Sequence, residues 1–293
     1  MAVSNVERRK WNLPSDLDQI ETVIRVEFLR HLRRKRLLMF AIIIALVSAL
    51  VLAIPPFFGG YPSNPILGPY QFAQYFTSAA DFLIILLAVF YGGDALVSEF
   101  SSKTGYSLFP NPVNRFSLFT GKLLAGLLAC VLLLGGYYMI IAASMLVIYK
   151  TLVIELVYSF LFAGLYMFAC LGVAFAISAL MKSTVSALVL TFVLFFFVFT
   201  MLSAVLMIAK VRAEPLLTFQ AGVISGFLNG PYPESFPPLE TRPDFGNMTG
   251  NMTAFDFVVY NPTVVNGIAV SVIWLVVSLV IAYLVFRRRE MLG

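Results

Sequence analysis

Long apolar runs without charged residues constrain this chain more than any other feature of its sequence. Five runs are free of charge: residues 37–58, 123–149, 156–181, 183–209 and 257–286. A sixth run, residues 77–97, carries only Asp81 and Asp94. Each is long enough for a helix to cross about 30 Å of hydrocarbon, which takes about 20 apolar residues. With only 12% charged residues, the chain is predicted to be an all-α integral membrane protein of six spans.

The sequence divides into two predicted regions. Residues 1–36 form a cytoplasmic leader and an N-terminal helix, and residues 37–293 form the six-span domain. The spans are predicted at about 37–58, 77–97, 121–149, 156–181, 183–209 and 262–286.

Basic residues are concentrated on one predicted side of the membrane. Six of them lie between residues 25 and 36, and others follow the runs that end at residues 97, 181 and 286. By the positive-inside rule, both termini are predicted to be cytoplasmic in a multi-pass protein of the plasma membrane. Cations at span ends bind anionic headgroups of the lipid bilayer, so the positive charge does not require a nucleic-acid partner.

The segment before the first run is predicted to be an amphipathic helix. Ser15 is placed to cap it, with Asp18 three residues later. Apolar residues then recur with a helical period at Leu17, Ile20, Val23, Ile24, Phe28 and Leu32. Such a helix lies in the membrane interface, or it docks on a cytosolic partner.

The segment between the last two spans, residues 210–261, is predicted to be external. Its apolar part, residues 216–228, is too short to cross the bilayer and is interpreted as a re-entrant or interfacial helix. Asn247 and Asn251 begin two adjacent Asn-x-Thr sequences, which are candidate N-glycosylation sites on this side.

The polar segment that follows the run at residues 77–97 has an unusual order of residues. Its elements are Glu99, then Lys103, Thr104 and Gly105, then the corner from Pro112 to Arg115, and finally Gly121 with Lys122. This order closely resembles the cytoplasmic loop of type-2 ABC transporter permeases, the membrane subunits of ATP-driven exporters. In that family an acid after span 2, a Thr-Gly pair, a Pro-Val-x-Arg sequence and a Gly-Lys pair recur at about this spacing.

The resemblance implies a permease that forms a substrate path with a second permease, either the same chain or a paralogue. Two soluble ATPase subunits would bind ATP and Mg²⁺ and drive export, so this chain would hold no cofactor. The coupling loop, residues 98–120, would contact the ATPase through a short helix at 98–109, with roles for Glu99, Lys103, Thr104, Gly105, Pro112 and Arg115. Spans 2 and 5 line the path in that family, which makes Asp81, Phe195 and Phe199 candidate gate or path residues.

Several residues have more than one interpretation. Glu99 could bind the ATPase or the N-terminal helix, while Arg115 and Lys122 would hold the loop at the lipid surface. Alternatively, the whole segment is a surface loop with headgroup anchors. Asp94 would cap the end of its span or pair with Lys103, Arg115 or Lys122, and Asp81 would serve a gate or lie at a hydrated span end.

Catalysis by the chain itself is not expected. Its one histidine, His31, has no second metal ligand nearby in sequence, and the Gly121-Lys122 pair lacks the remaining residues of a P-loop. The chain is therefore predicted to be a non-catalytic subunit. The rival functions are a secondary carrier driven by an ion gradient and an intramembrane enzyme, and the spans offer little for either beyond Asp81.

Overall fold

Six helical segments in the described part of the chain are long and apolar enough to cross a membrane, which confirms the predicted all-α architecture. The computed structural model describes residues 15–57, 60–101, 114–229, 240–241 and 259–288. Spans 1 to 6 are, in order, Arg36–Phe57, Gly68–Glu99, Arg115–Tyr149, Glu155–Leu180, Thr184–Ile208 and Val264–Arg288. Below, the N-terminal face is the end of the bundle where span 1 begins, and the opposite face is the other end.

An N-terminal helix, Asp16–Arg33, precedes span 1 and has the predicted cap. The Ser15 hydroxyl accepts a hydrogen bond from the Asp18 amide at 3.2 Å, and the Asp18 carboxylate accepts one from the Ser15 amide at 3.2 Å. The helix packs along the first turns of span 3, where Gly121 allows a close approach. A Cβ atom at position 121 would lie 2.6 Å from the Cβ of Val23.

Span 2 begins earlier than predicted, at Gly68 instead of residue 77. The side chain of Asn64 accepts hydrogen bonds from the amides of Ile66 and Leu67, in the turn just before the helix, and Phe72 and Phe76 are buried among other elements. These contacts make the outer turns helical although polar residues interrupt the apolar run. The earlier start places Asp81 near the middle of the span, which corrects its predicted position at a span end.

Span 2 consists of three helical pieces. Helix Gly68–Ser78 meets helix Ala80–Gly92 at Ala79, and a turn at residues 93–96 leads into a short helix, Val97–Ser101. The Ser178 hydroxyl of span 4 accepts hydrogen bonds from the amides of Leu96 and Val97 at 3.0 and 3.1 Å. Because buried amides need a partner, Ser178 stabilises the turn and fixes the start of the short helix.

Span 3 begins at Arg115 instead of residue 121, because Asn114 caps it. The Asn114 side chain accepts a hydrogen bond from the Phe116 amide at 3.2 Å, and the Asn114 amide donates to Gln19 at 2.9 Å. Parts of the predicted coupling loop are therefore helical, at 97–101 and from 115 onward. Its remaining candidates, Lys103, Thr104, Gly105 and Pro112, lie outside the described residues.

Spans 2 and 4 form the centre of the bundle. In each, 72% of the most apolar window is buried, against 17–33% in the other four spans. Gly172 of span 4 packs directly on span 6, where an added Cβ would lie 2.6 Å from the Ser278 hydroxyl. A small residue at this position therefore lets the two spans approach closely. The exposed apolar surfaces of the other spans suit lipid or a second membrane subunit.

Two short helices, Leu217–Gln220 and Gly222–Gly226, occupy the predicted re-entrant segment and are largely buried. Trp274 of span 6 donates to the Pro215 carbonyl at 2.9 Å, and Ser159 of span 4 donates to the Ile224 carbonyl at 2.7 Å. The two-residue strands Glu240–Thr241 and Val259–Tyr260 pair antiparallel. The candidate sites Asn247 and Asn251 lie outside the described residues.

Candidate functional site

Four charged side chains form an ion cluster at the N-terminal face: Glu27, Arg30, Glu99 and Lys122. The Lys122 Nζ lies 2.7 Å from Glu27 Oε1 and 2.8 Å from Glu99 Oε1. Arg30 Nη1 lies 2.9 Å from Glu27 Oε1 and 3.4 Å from Glu99 Oε1. Two cations thus balance two carboxylates, and the Lys122 and Glu99 side chains are only 3% and 4% exposed.

Three elements bring the ion cluster together. Glu27 extends from the face of the N-terminal helix that contacts span 3, and Lys122 follows Gly121, the residue that allows this contact. Glu99 lies on the short helix whose start Ser178 fixes. The cluster therefore ties the N-terminal helix to the short helix and to span 3, by contacts that replace the water each charge would otherwise keep.

A second ion pair lies beside the cluster. Arg36, at the start of span 1, contacts Asp94 of span 2 at 2.5 Å between Nη2 and Oδ2. Asp94 was predicted to pair with Lys103, Arg115 or Lys122, and the structure shows Arg36 instead. The reason is geometric, because the turn at residues 93–96 brings Asp94 to the start of span 1 and span 3 keeps Lys122 in the ion cluster.

His31 packs between these charged groups. Its ring meets the ring of Tyr91 edge-on, with centroids 4.9 Å apart. Burial lowers the pKa of His31 to about 4, although the carboxylates of Glu27 and Asp94 act to raise it. His31 is therefore neutral near pH 7, and it is a packing residue of the N-terminal helix.

Arg115 and Lys122 do not act as a pair of headgroup anchors. Arg115 donates to the Arg287 carbonyl at 2.7 Å and so holds the start of span 3 to the end of span 6. Lys122 is buried in the ion cluster, so its predicted place at the lipid surface is wrong. Of the two interpretations of Glu99, contact with the N-terminal helix is observed, through Arg30.

A second polar group, the acid–tyrosine pair, lies deep in the bundle. Tyr166 of span 4 donates a hydrogen bond to Asp81 Oδ1 at 2.8 Å. Within the described part of the chain, no cation lies within ion-pair distance of this carboxylate. Asp81 is partly exposed at the surface of the chain, whereas Tyr166 is fully buried.

The two candidate path residues of span 5 are buried within the chain. Phe195 and Phe199 lie in a π-helical turn, Leu194–Phe199, with ring centroids 5.7 Å apart, and Phe199 contacts Trp274 of span 6. A different ring of this turn contacts span 2: Phe196 meets Phe82, with centroids 5.4 Å apart. A path role for Phe195 and Phe199 stays a prediction.

Sequence reasoning missed Glu27, Arg30 and Tyr166 as members of these groups. A signal for Glu27 exists, because it continues the apolar face formed by Ile20 and Val23 at helical spacing. No comparable signal marks Tyr166 within an apolar run. Within the described residues, no group of three or more His, Cys, Asp or Glu side chains is placed to hold a metal ion.

Comparison with known proteins adds one match. A family model, described as ABC-2 family transporter protein, matches residues 23–199. That segment is more than half of the chain and contains both the ion cluster and the acid–tyrosine pair. No curated protein matches the chain.

Proposed function

Since the chain belongs to the ABC-2 transporter family, we propose that it is the permease subunit of an ATP-driven exporter. Membership makes it a multi-pass membrane component of an ABC transporter that works with an ATPase. We further propose that two separate ATPase subunits bind ATP and Mg²⁺ and that a second permease, this chain or a paralogue, completes the substrate path. The complex would export its substrate across the plasma membrane.

The ion cluster is the observation that carries the proposal. An ATPase that closes on the N-terminal face can move the spans only if the elements it pushes are held rigidly to those spans. Lys122 contacts Glu27 and Glu99 at the same time, so the N-terminal helix and the short helix are held to one point of span 3. Breaking such buried contacts one at a time costs several kcal/mol, about 3–5 for a buried pair, so the three elements move together.

This arrangement refines the proposed roles in the coupling loop. Glu99 and Arg115 face other parts of the chain, since one contacts Lys122 and the other the Arg287 carbonyl. We assign both to holding the coupling loop in place. Direct contact with the ATPase is proposed for Lys103, Thr104, Gly105 and Pro112.

The proposed orientation of the chain in the membrane rests on the distribution of its basic residues. The N-terminal face carries the basic residues between 25 and 36 and the two arginines that end span 6. Positively charged ends of membrane proteins stay in the cytoplasm, where the ATPase would bind. Both termini are accordingly proposed to be cytoplasmic, with the helices Leu217–Gln220 and Gly222–Gly226 on the outside.

Purification tests the proposal. The tagged chain, extracted in mild detergent, should bring down a soluble P-loop ATPase and should hydrolyse no ATP when stripped of it. In proteoliposomes the reassembled complex should accumulate substrate only with ATP and Mg²⁺. Sustained ATP hydrolysis by the stripped chain, or failure to bind any ATPase, would contradict the proposal.

Asp81 favours one alternative, a carrier driven by an ion gradient, because such carriers use acids within their spans. The same proteoliposomes distinguish the two functions. Uptake that follows an imposed proton or sodium gradient, in the absence of ATP, would favour the carrier. Uptake that needs ATP hydrolysis and persists when ionophores collapse those gradients favours the ABC permease.

A further inference from the structure

We propose that Asp81 and Tyr166 form a binding site for amphiphilic cations, in particular long-chain or aromatic amines, in the middle of the membrane. The inference rests on the proposed transport function and names the class of substrate that the path would take. The observations that support it are the distance of Asp81 from both ends of the bundle, the lack of a counter-ion among the described residues, its partial exposure and the aromatic rings that follow it from Phe82.

Asp81 lies far from both ends of the bundle. Toward the N-terminal face, the next charge on span 2 is Asp94, about 20 Å away along the helix at 1.5 Å per residue. Toward the opposite face, the partner residue Tyr166 lies about 16 Å along span 4 from Glu155, which opens that span. Since the hydrocarbon is about 30 Å thick, neither end of the bundle brings Asp81 to the headgroups.

Among the described residues, no positively charged side chain balances this carboxylate. An acid at the centre of a span costs about 2.5–3.5 kcal/mol on insertion scales, and simulations of other charged residues give more. The hydrogen bond from Tyr166 satisfies one oxygen but supplies no positive charge. Asp81 also stands in the first turn of helix Ala80–Gly92, whose N-cap residue, Ala79, has no side chain that could cap the helix.

The side of span 2 that bears Asp81 is open and aromatic. Asp81 is partly exposed, and the next residue, Phe82, is 49% exposed and meets Phe196 of span 5 edge-on. Phe192 packs against Phe196 with centroids 4.5 Å apart. Phe196 lies in the π-helical turn of span 5, a kind of irregularity common at functional sites, and Phe192 lies in the helix just before it. An ionised carboxylate that faces lipid tails is costly, so this side suits a substrate path or a bound cation.

The chemistry of the site selects an amphiphilic cation. A carboxylate oriented by a tyrosine hydroxyl accepts charge-assisted hydrogen bonds from an ammonium group. Phenylalanine rings beside it attract the same cation through their faces and bury its apolar chain. A neutral lipid would leave the carboxylate without a partner, and an anion would be repelled by it.

The test compares two probes that differ only in charge. One is a dansyl-labelled long-chain primary amine, and the other is its N-acetylated form, which is neutral at pH 7. Fluorescence titration of the chain in neutral-lipid nanodiscs measures both affinities, with and without the ATPase. We expect wild type to bind the amine at least about tenfold more tightly than the amide, the ratio for one charge-assisted hydrogen bond.

Variants test whether the preference for the amine depends on Asp81 and Tyr166. Asp81→Asn should remove it while leaving amide binding unchanged, because asparagine keeps the shape and can still accept from Tyr166. Tyr166→Phe should reduce it in part, since the carboxylate loses its orientation. The matched control is Glu214→Gln, which removes an exposed acid at the opposite face and should leave both affinities unchanged.

Two results would overturn the inference. The first needs no variant: wild type binds the amine and the amide equally. The second is an amine preference that persists in Asp81→Asn. Neither depends on the ATPase, so they are distinguishable from a failure of the proposed function, in which the amine binds through Asp81 but no ATPase associates.

Discussion

Replacing Lys122 by methionine tests whether the ion cluster holds the N-terminal face together. Methionine keeps most of the length and shape of lysine but carries no charge, so the packing at position 122 is largely retained. Among the described residues, Arg30 then remains in contact with both carboxylates, and its side chain is 33% exposed. Glu27 and Glu99 lose the buried ammonium group that lies between them.

The magnitude follows from the geometry. Glu27 Oε1 and Glu99 Oε1 contact the same Nζ at 2.7 and 2.8 Å, so they are at most about 5.5 Å apart. At an effective dielectric constant of ~20, two negative charges at that distance repel by about 3 kcal/mol. Loss of one partner from a buried ion pair costs a similar amount, about 3–5 kcal/mol. We expect Lys122→Met to lower the free energy of unfolding by about 3 kcal/mol.

Two double variants separate stability from coupling. Lys122→Met with Glu27→Gln keeps the Glu99–Arg30 contact, and Lys122→Met with Glu99→Gln keeps the Glu27–Arg30 contact. Both restore a balanced charge and should recover stability. Only the first retains an ion pair between the short helix and the N-terminal helix, so it should retain more substrate-stimulated ATPase activity in the reconstituted complex.

Thermal unfolding in nanodiscs and ATPase assays of the complex measure these effects, with Lys150→Met as the control at an exposed lysine of the opposite face. The reasoning is refuted if Lys122→Met is as stable as wild type. If instead both double variants couple ATP hydrolysis to transport equally well, the contact between the short helix and the N-terminal helix does not transmit the motion.

Three further predictions concern the two faces of the bundle. Gly121→Ala should detach the N-terminal helix and lower the melting temperature because its methyl group would meet the Cβ of Val23, and adding Val23→Gly, which removes that Cβ, should recover part of the loss. Cysteines at Arg33 and Thr151, both exposed, should react with impermeant maleimides from the cytoplasm and from outside respectively, since the two native cysteines are buried. Because the pKa of His31 falls from 6.5 to about 4, the native state binds fewer protons than the unfolded state. Stability should therefore decrease as the pH falls from about 6.5 to 4, and His31→Asn should weaken that dependence.

The number and order of the spans followed from the sequence because a span must be apolar along its length, whatever it packs against. Their ends were harder to predict. Gly68 and Arg115 begin helices in polar surroundings, where the Asn64 side chain orders the turn before one helix and the Asn114 side chain caps the other. Hydropathy averages over such positions, so it missed the outer turns of span 2 and placed Asp81 too near an end.

The ion cluster was only partly accessible to sequence reasoning. Glu99 was identified through the order of the loop, yet its partner Lys122 was assigned to the lipid surface. The Lys122–Glu27 contact joins residues 95 positions apart, and it exists because Gly121 lets two helices approach. No local pattern encodes that approach. What the sequence did carry was the unusual position of Glu27 on the apolar face of its helix.

The ion cluster and the acid–tyrosine pair differ in charge balance, and we expect them to have different roles in transport. The ion cluster brings two cations and two carboxylates of the chain into contact, so it should respond to any force on the N-terminal face, whatever the substrate. Asp81 has no cation within ion-pair distance among the described residues, and we propose that its cation comes from the substrate. Cluster variants should therefore reduce transport of amines and of neutral amphiphiles to the same degree, whereas Asp81→Asn should reduce amine transport alone. Competition assays in proteoliposomes, with both substrates present, would measure the two effects together. Loss of selectivity in a cluster variant, or equal loss of both substrates in Asp81→Asn, would show that the two groups act as one site.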